Sequence, residues 1–367
     1  MRSQPGCARE TINKQCARYP VIEPHRRGVD AAGSFVLPDV VEDMEEAVRI
    51  VSLLPSATEI VYALGLGESL VGITHECDFP ADARTKPIVT RSMLDHTDLP
   101  STEIDMAVRQ QLEDGLSLYA LDQALLAELA PDVILTQALC AVCAVPYGQV
   151  ERAARDVTEH YGGAAPRVLS LDPHGLEDIL ATIGAVGAAT GAEERAAEQV
   201  AALRARIERV RARAAEAATR PRVACLEWLD PIYGPGHWLP ELVELAGGQP
   251  GIGTPHAASR RVLWGDVIAF APEVIVVTPC GFDLARTVEE ARQALPSRTG
   301  WEALPAVRNG RVYAVDGNAY FSRPGPRIVD SLELLAELIH PELFAGWGPP
   351  DAWQPLVAAG GRRARLD

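Results

Sequence analysis

The sequence has no long apolar run and comparatively little positive charge. Its 367 residues carry 34 basic and 50 acidic side chains, for a net charge of −16. Nucleic acids and anionic membrane surfaces are both bound through a basic footprint, so this balance argues against either partner. No stretch approaches the ~20 consecutive apolar residues of a transmembrane helix, and we expect a chain that does not span a membrane.

The N-terminal segment lacks the pattern of a secretion signal. Residues 1–30 are polar, contain several prolines and arginines, and show no apolar core of about 7–15 residues such as a signal peptide requires. No apolar run precedes Cys7 or Cys16 to suggest a lipid anchor. As written, the sequence predicts a cytoplasmic location; a different start codon would instead allow a periplasmic or extracytoplasmic one.

Disulfide patterns and familiar catalytic motifs are absent as well. Seven cysteines at irregular spacing do not form a disulfide framework, and reduced thiols are expected. No Gly-x-Ser-x-Gly elbow, Walker A sequence or Gly-x-Gly-x-x-Gly turn follows a predicted strand. We therefore predict a binding protein and not an enzyme.

One strand–helix pattern occurs twice along the chain. The predicted pairs are residues 49–54 with 58–64, and residues 222–226 with 239–246. The segments ELAPDVILT, at 128–136, and AFAPEVIVVT, at 269–278, are close to interchangeable and lead into further buried strands. Alternating strands and helices of this kind predict an α/β fold with two similar lobes, each built on a largely parallel sheet.

A stretch that favours helix lies between the two repeats. Residues 192–217 are rich in Ala, Glu and Arg and place Val200, Leu203, Ile207 and Val210 on one apolar stripe. This pattern predicts one long α-helix that joins the lobes as a strut. The predicted domains are a poorly ordered tail at 1–45, lobe one at 46–175 with an insertion near 90–122, a helical connector at 176–219, lobe two at 220–345 and a second tail at 346–367.

Aromatic residues make up only 5% of the sequence, yet they concentrate in the predicted loops of lobe two. The candidates are Trp228, Tyr233, His237, Trp238, Trp264, Tyr320 and Phe321. A single residue of this kind is as often part of a core as of a site. As a set, flat apolar side chains suit the face of a macrocyclic ligand, and they predict a binding cleft.

Cys140-Ala-Val-Cys143 follows the predicted strand at 132–136, and His75 and Cys77 follow an earlier strand of the same lobe. One interpretation is that the thiols pack as small apolar groups. A second is a redox pair, which the surrounding pattern disfavours because it is not that of thioredoxin. The third is a zinc site formed by His75, Cys77, Cys140 and Cys143, although no second Cys-x-x-Cys accompanies them.

Four segments together resemble the periplasmic binding-protein family that serves cobalamin and iron–siderophore importers. They are RIVSLLPSATEIVYALGLGESLVGITHECDFP (49–80), HWLPELVELAGG (237–248), RRVLWGDVIAFAPEVIVVTPCG (260–281) and NAYFSRPGPRIVDSLELL (318–335). The resemblance extends over roughly residues 49–343; it is specific for the family and less specific for its cobalamin branch. It implies two α/β lobes, joined by one long helix, that close on a ligand.

The resemblance also implies roles for single residues. Glu59 and Glu244 match the family's two transporter-docking carboxylates, one at the tip of each lobe, which pair with arginines of the permease. Trp264 and Arg323 match positions that touch the corrinoid, and Pro55 matches a ligand-facing proline of the first turn.

The sequence departs from the family's pattern at two places. Ala319 stands where relatives carry an acid before the YFSR segment. An aromatic residue expected near Ser92 is missing, and Tyr119 of the insertion is the candidate that replaces it.

These observations predict a protein, monomeric and without nucleic-acid partners, that binds cobalamin or a related corrinoid between its lobes. It would serve an ABC permease as the substrate-binding component, or be a cytosolic homologue of one. Candidates for an axial cobalt ligand are His75, His237 and the thiols. An iron–siderophore or haem is the alternative ligand. From another class, a cytosolic metal- or cofactor-handling protein with the Cys/His cluster is the alternative function.

Overall fold

The computed structural model describes residues 48–94, 99–139, 142, 144–161 and 164–357. These residues fall within one compact unit. Two main sheets, of four and five strands, and two smaller ones, of three and two strands, make up this unit together with the surrounding helices. The long connecting segment lies between the two main sheets in the chain.

Lobe one carries a four-stranded parallel sheet. Its elements are β1 (Ile50–Ser52), α1 (Pro55–Ala63), β2 (Leu70–Ile73), β3 (Thr90–Ser92), α2 (Ser101–Glu113), β4 (Tyr119–Leu121), α3 (Gln123–Leu129), β5 (Val133–Thr136), α4 (Tyr147–Tyr161) and β6 (Arg167–Ser170). The strand order is β2-β1-β5-β6. Strands β3 and β4 form a separate antiparallel pair with α2 between them, within the segment that is predicted to be an insertion.

The connector and lobe two follow. Their elements are α5 (Leu176–Thr190), α6 (Glu193–Ala214), β7 (Arg222–Leu226), β8 (Trp228–Leu229), β9 (Ile232–Gly234), α7 (Leu239–Leu245), β10 (Gln249–Pro250), β11 (Arg260–Arg261), α8 (Trp264–Phe270), β12 (Val274–Val277), α9 (Leu284–Ala294), α10 (Pro305–Arg308), β13 (Val312–Val315), α11 (Ile328–Ile339), α12 (Pro341–Phe344) and β14 (Trp353–Pro355). The main sheet has the order β10-β7-β12-β13-β14 and is parallel except at β14. The predicted fold class, two α/β lobes with largely parallel sheets, is confirmed.

The repeat seen in the sequence extends to hydrogen bonds. In lobe one, the backbone N–H of Arg49 donates to the carboxylate of Asp132 (2.7 Å), and the Arg49 side chain donates to a carbonyl at the end of α3. In lobe two, Arg222 makes the same two contacts, with the carboxylate of Glu273 (3.0 Å) and a carbonyl at the end of α8. The two sets of contacts hold equivalent strands of the two lobes where these strands begin. This explains why the sequences of residues 128–136 and 269–278 are alike.

Helix α6 is the predicted strut, and it packs against α5 and α11. Leu203 and Val210 of α6 are buried in a hydrophobic cluster that also contains strand residues of both lobes. Gly187 of α5 lets the two helices approach closely, because a Cβ there would lie 2.5 Å from the Cβ of Ala196. Arg206 pairs with Asp330 and Glu333 of α11. The two lobes therefore share one continuous core along the strut.

The predicted tails have different outcomes. Residues 1–45 and 358–367 lie outside the described part of the chain. The expectation of a poorly ordered tail from residue 346 is wrong for residues 346–357, because β14 pairs with β13 and Ala352, Leu356 and Val357 are buried in lobe two.

Candidate functional site

The residues that follow β2 in lobe one contact residues that follow β13 in lobe two. Arg323 donates from Nη2 to the carboxylate of Asp78 (3.0 Å) and lies 3.4 Å from the carbonyl oxygen of Glu76. In sheets of this kind, ligands bind in the crevice outside the carboxyl ends of the strands. The junction of these two loops is therefore the candidate binding cleft.

Four charged side chains form the centre of this junction. Arg327 donates to both carboxylate oxygens of Glu59 (2.9 and 2.6 Å), while Arg323 lies 3.4 Å from Glu59 and binds Asp78. The side chains of Glu59 and Arg323 are only 2% and 4% exposed. Burial alone would raise the pKa of Asp78, but the hydrogen bond and charge of Arg323 outweigh it and hold that pKa below its usual value. We call Glu59, Asp78, Arg323 and Arg327 the buried seam.

Backbone contacts and rings support the buried seam. Gly325 lies so close to lobe one that a Cβ there would be 3.1 Å from the carbonyl oxygen of Ser56, next to Pro55 at the start of α1. The Arg327 guanidinium lies 4.0 Å from the ring centre of Phe79 and 5.5 Å from that of Tyr320. A Cβ at position 325 would therefore require the backbone at the start of α1 to shift by a few tenths of an ångström.

The structure corrects the exposed position expected for Glu59. Helix α1 turns this carboxylate toward lobe two, where two arginines neutralise it, and it is not at a free tip of lobe one. Glu244, the other residue matched to permease docking, is exposed on α7. Docking through Glu244 remains a prediction.

His75 and Tyr119 come together beside this junction. Nδ1 of His75 lies 2.7 Å from the Thr90 hydroxyl, which also accepts the His75 backbone N–H (3.1 Å). Nε2 lies 3.2 Å from the Glu76 carboxylate, and the ring centre is 5.7 Å from that of Tyr119. The Tyr119 hydroxyl donates to the carbonyl of Val142. The imidazole is thus held in one orientation.

His237 and Trp238 lie where the connector meets lobe two. Their rings stack with centres 5.6 Å apart, and His237 is 5.7 Å from the ring of His174, which precedes α5. Burial, and then the neighbouring His174, lower the pKa of His237. Trp238 and Phe321 are buried, and the Trp238 indole donates to the Phe321 carbonyl (3.1 Å). Their main contribution is to fix the turn that carries Arg323.

Trp264 and Tyr320 are half-buried in lobe two. The Trp264 indole donates to the carbonyl of Thr299 (2.8 Å), and its ring lies 6.2 Å from that of Trp301. Tyr320 belongs to a π-helical turn, Gly317–Phe321, that follows β13. Their contact with a ligand remains a prediction.

Trp228 and Tyr233 face one another across the β8–β9 hairpin, and helix α2 of lobe one lies against both. The Trp228 indole donates to the carbonyl of Ser101 (3.1 Å), and the Tyr233 hydroxyl is 3.5 Å from the Asp105 carboxylate. Two residues expected to face a ligand therefore contact the insertion helix.

Cys77 does not present a ready metal ligand. Its thiol is buried, lies 3.0 Å from the Thr58 hydroxyl, and has its pKa raised to about 12 by burial. A thiol must lose its proton to bind zinc. Cys140 and Cys143 lie outside the described residues. Within the described part of the chain, no three His, Cys, Asp or Glu side chains form a group that could hold a metal ion.

Several residues of these contacts were not singled out from the sequence. Asp78 and Arg327 lie inside the segments that carry the family resemblance. Arg323 and Arg327 flank a Pro-Gly-Pro turn, and two arginines so close together indicate that carboxylates lie nearby to balance their positive charge. Arg261, which pairs with Asp105 of α2, and Glu290, which accepts from Ser101, gave no such indication, because these partners are in the insertion, far away in the chain.

A sequence model of a protein family described as periplasmic binding protein matches residues 50–319. The chain is similar to the uncharacterized ABC transporter substrate-binding lipoprotein YvrC of Bacillus subtilis, with 26% identity over 311 residues, or 82% of each chain. It is also similar to the vitamin B12-binding protein of Vibrio cholerae, with 24% identity over 301 residues, which are 82% of this chain and 91% of the relative.

A likeness to solved structures shows the fold. The periplasmic heme-binding protein RhuT from Roseiflexus sp. RS-1, in its apo form, matches with a TM-score of 0.59 and 22% identity, over 80% of this chain and 98% of that one. None of the helices in the described ranges is long and apolar enough to cross a membrane.

Proposed function

We propose that this chain, which belongs to the periplasmic binding protein family, binds cobalamin or a related corrinoid between its lobes as the substrate-binding component of an ABC-type uptake system, or as a cytosolic homologue of one. The observation that carries the proposal is the junction of the two sheet edges at Arg323 and Asp78. Similarity to a vitamin B12-binding protein over 91% of its length supports the choice of ligand.

The chemistry of the junction suits a large flat ligand with a polar rim. A corrinoid presents an apolar macrocycle face, for which Trp264 and Tyr320 offer aromatic surface. Its rim carries amide and phosphate oxygens, which planar guanidinium groups bind well. Arg323 is satisfied on one side by Asp78, whereas its buried Nε has no acceptor among the described residues. We therefore expect a ligand oxygen to bind at Arg323 when the lobes move apart.

Haem or an iron–siderophore is the second candidate ligand. The observation in its favour is the pairing of His75 and Tyr119, because imidazole and phenolate side chains are common protein ligands of haem iron. The metal-handling alternative has less support, since the thiol of Cys77 is hydrogen-bonded to the hydroxyl of Thr58 in the core.

Delivery to a permease follows from the same proposal. A relative is named as the substrate-binding lipoprotein of an ABC transporter. Of the two carboxylates expected to dock, Glu244 is exposed and Glu59 is buried. We propose that Glu244 contributes to docking while Glu59 holds the lobes together.

The decisive experiment is a titration of the purified full chain with hydroxocobalamin and, separately, with haemin, followed by visible absorption and calorimetry. We expect saturable binding of the corrinoid, and a loss of about fivefold or more in affinity for Trp264→Ala, as for removal of a packed aromatic contact of about 1 kcal/mol. Trp347→Ala is the matched control, because Trp347 is also half-buried but packs on Phe344 near the C-terminus. Binding of haemin alone would favour the second candidate, and equal affinity losses in both variants would remove Trp264 from the site.

A further inference from the structure

Helix α2 belongs to the insertion of lobe one, but lobe two holds its first turn. The backbone N–H and the hydroxyl of Ser101 both donate to one oxygen of Glu290 (3.0 and 2.5 Å). The carbonyl of Ser101 accepts from the Trp228 indole, and the carbonyl of Leu99 accepts from Arg286 (2.7 Å). Ser101 itself is buried by these contacts.

Glu290 of α9 acts as the cap of α2, while Arg286 of the same helix holds the carbonyl of Leu99. Arg286 and Glu290 are four residues apart and so lie on the same face of α9. The first turn of any helix has unpaired N–H groups and the positive end of the helix dipole, both of which a carboxylate satisfies. The residue before α2 is Pro100, which supplies no side-chain cap. Glu290 supplies it instead, from the other lobe.

A second set of contacts follows one turn later. The Asp105 carboxylate is 9% exposed and is held by Arg109 of the same helix and by Arg261 of lobe two (2.6 Å). The Thr102 hydroxyl donates to Asp230 of lobe two (2.8 Å). The first two turns of α2 are therefore docked on lobe two through both charged and neutral hydrogen bonds.

We infer that residues 99–113, the α2 lid, close the ligand cleft by docking on lobe two, and that release of their cap at Glu290 opens it. The inference rests on the proposed function for the identity of the cleft. Trp228 follows β7 at the carboxyl edge of the sheet, where a ligand of this fold binds, and α2 covers it. A ligand reaches Trp228 and Tyr233 only after α2 has left.

Loss of the cap also loosens the helix itself. A helix of 13 residues is marginal in water without tertiary contacts. Undocking from lobe two and fraying of α2 are thus one event, and the rate of ligand entry depends on how often it occurs.

Hydrogen exchange on the ligand-free full chain tests the docking. In Glu290→Ala we expect the amides of residues 101–113 to exchange on the order of tenfold faster than in the wild type, while those of α5 stay unchanged. Glu289→Ala is the matched control: Glu289 is the exposed neighbour on α9, its contact is with Gln293, and its loss leaves exchange of α2 unaltered. Wild-type exchange of α2 in Glu290→Ala would overturn the inference. Should that variant fold poorly by circular dichroism, Asp105→Asn provides the same measurement.

Stopped-flow binding of hydroxocobalamin tests the lid. We expect both association and dissociation to be faster in Glu290→Ala than in the wild type and in Glu289→Ala. Faster exchange of α2 with unchanged binding rates would show a docked helix that does not gate the cleft, and the inference would fail. Absence of corrinoid binding in every variant would refute the proposed ligand instead; the exchange result needs no ligand, and the kinetic comparison then uses haemin.

Discussion

The two lobes meet through two sets of arginine–carboxylate contacts that differ in exposure. In the buried seam, the side chains of Glu59 and Arg323 are 2% and 4% exposed. In the docking contact of the α2 lid, Asp105 is 9% exposed but its partner Arg261 is 42% exposed. The same chemistry thus occurs once in the interior and once at the surface.

The difference in exposure indicates which of the two contacts breaks more easily. Removing one partner of a buried charge pair leaves the other charge uncompensated at a cost of about 3–5 kcal/mol. Exposed pairs contribute about 0–1 kcal/mol because water and salt compensate them. We therefore expect the lobes to part first at the α2 lid and only afterwards at the buried seam, while the strut keeps them joined.

The largest effect is expected from Glu59→Ala. This change leaves Arg327 and one side of Arg323 without a carboxylate in a buried position, so the free energy of unfolding should fall by about 3–5 kcal/mol. Urea denaturation followed by circular dichroism measures the loss. Glu244→Ala is the control, and as a surface change it should stay within about 0.5 kcal/mol of the wild type.

A small loss of unfolding free energy in Glu59→Ala would contradict the distinction between a buried and an exposed contact. It would mean that water reaches Arg323 and Arg327 and that the seam is not a buried interface in solution. In that case Glu59 would again be available for docking to a permease, as its match to the family implies.

The repeated local patterns could be predicted from the sequence. Strand β7 was predicted with the bounds that the structure shows, Arg222–Leu226, because a short buried strand gives a continuous apolar run. The strut was predicted at 192–217 and observed at Glu193–Ala214, since its apolar stripe has helical spacing. An insertion near 90–122 was predicted from the unequal lengths of the two repeats and stays a prediction; β3, α2 and β4 lie in that segment.

Contacts between distant segments could not be predicted. Glu59 lies on a helix whose pattern allows either exposure or burial, and only the position of Arg327, 268 residues further on, decides it. The cap of α2 comes from Glu290, 189 residues away, and no local pattern indicates a cap from so distant a residue. Strand β14 has only three residues and ends in proline, which gives no alternation to detect.

The second effect concerns pH and the segment that carries Arg261. Glu227 follows β7, and its carboxyl group accepts a hydrogen bond from the hydroxyl of Ser259, just before β11. Burial raises the pKa of Glu227 from 4.5 to about 7, although the bonds from Ser259 and the Gly236 N–H act in the opposite direction. The folded state therefore binds this proton more tightly than the unfolded chain does.

The sign of the effect follows from linkage. The contribution of Glu227 to stability is complete below about pH 4.5 and is lost as the pH rises through 7, at a cost of up to about 3 kcal/mol. Glu227→Gln mimics the protonated form, so it should match the wild type at pH 5 and be more stable at pH 8. Denaturation curves at the two pH values check this. The same difference between pH 5 and pH 8 in both proteins would show that Glu227 is not the group responsible.

The smallest effect on stability is expected at the α2 lid, from Arg261→Gln. Its partner Asp105 keeps Arg109, so the unfolding free energy should fall by less than about 1 kcal/mol, and by still less at high salt. A double-mutant cycle with Asp105→Asn isolates the pair, and it should give a coupling of a few tenths of a kcal/mol that fades between low and high salt.

Arg204→Gln, which breaks a pair with Glu177 between the strut and α5, is the control for exposed pairs outside the lid. Arg261 of lobe two contacts the lid and Arg204 does not. Arg261→Gln should therefore speed hydrogen exchange in α2, and Arg204→Gln should not. A salt-independent coupling above about 3 kcal/mol would place Asp105 and Arg261 in the same class as the buried seam, and the lobes would then have two interior contacts and no surface at which to open.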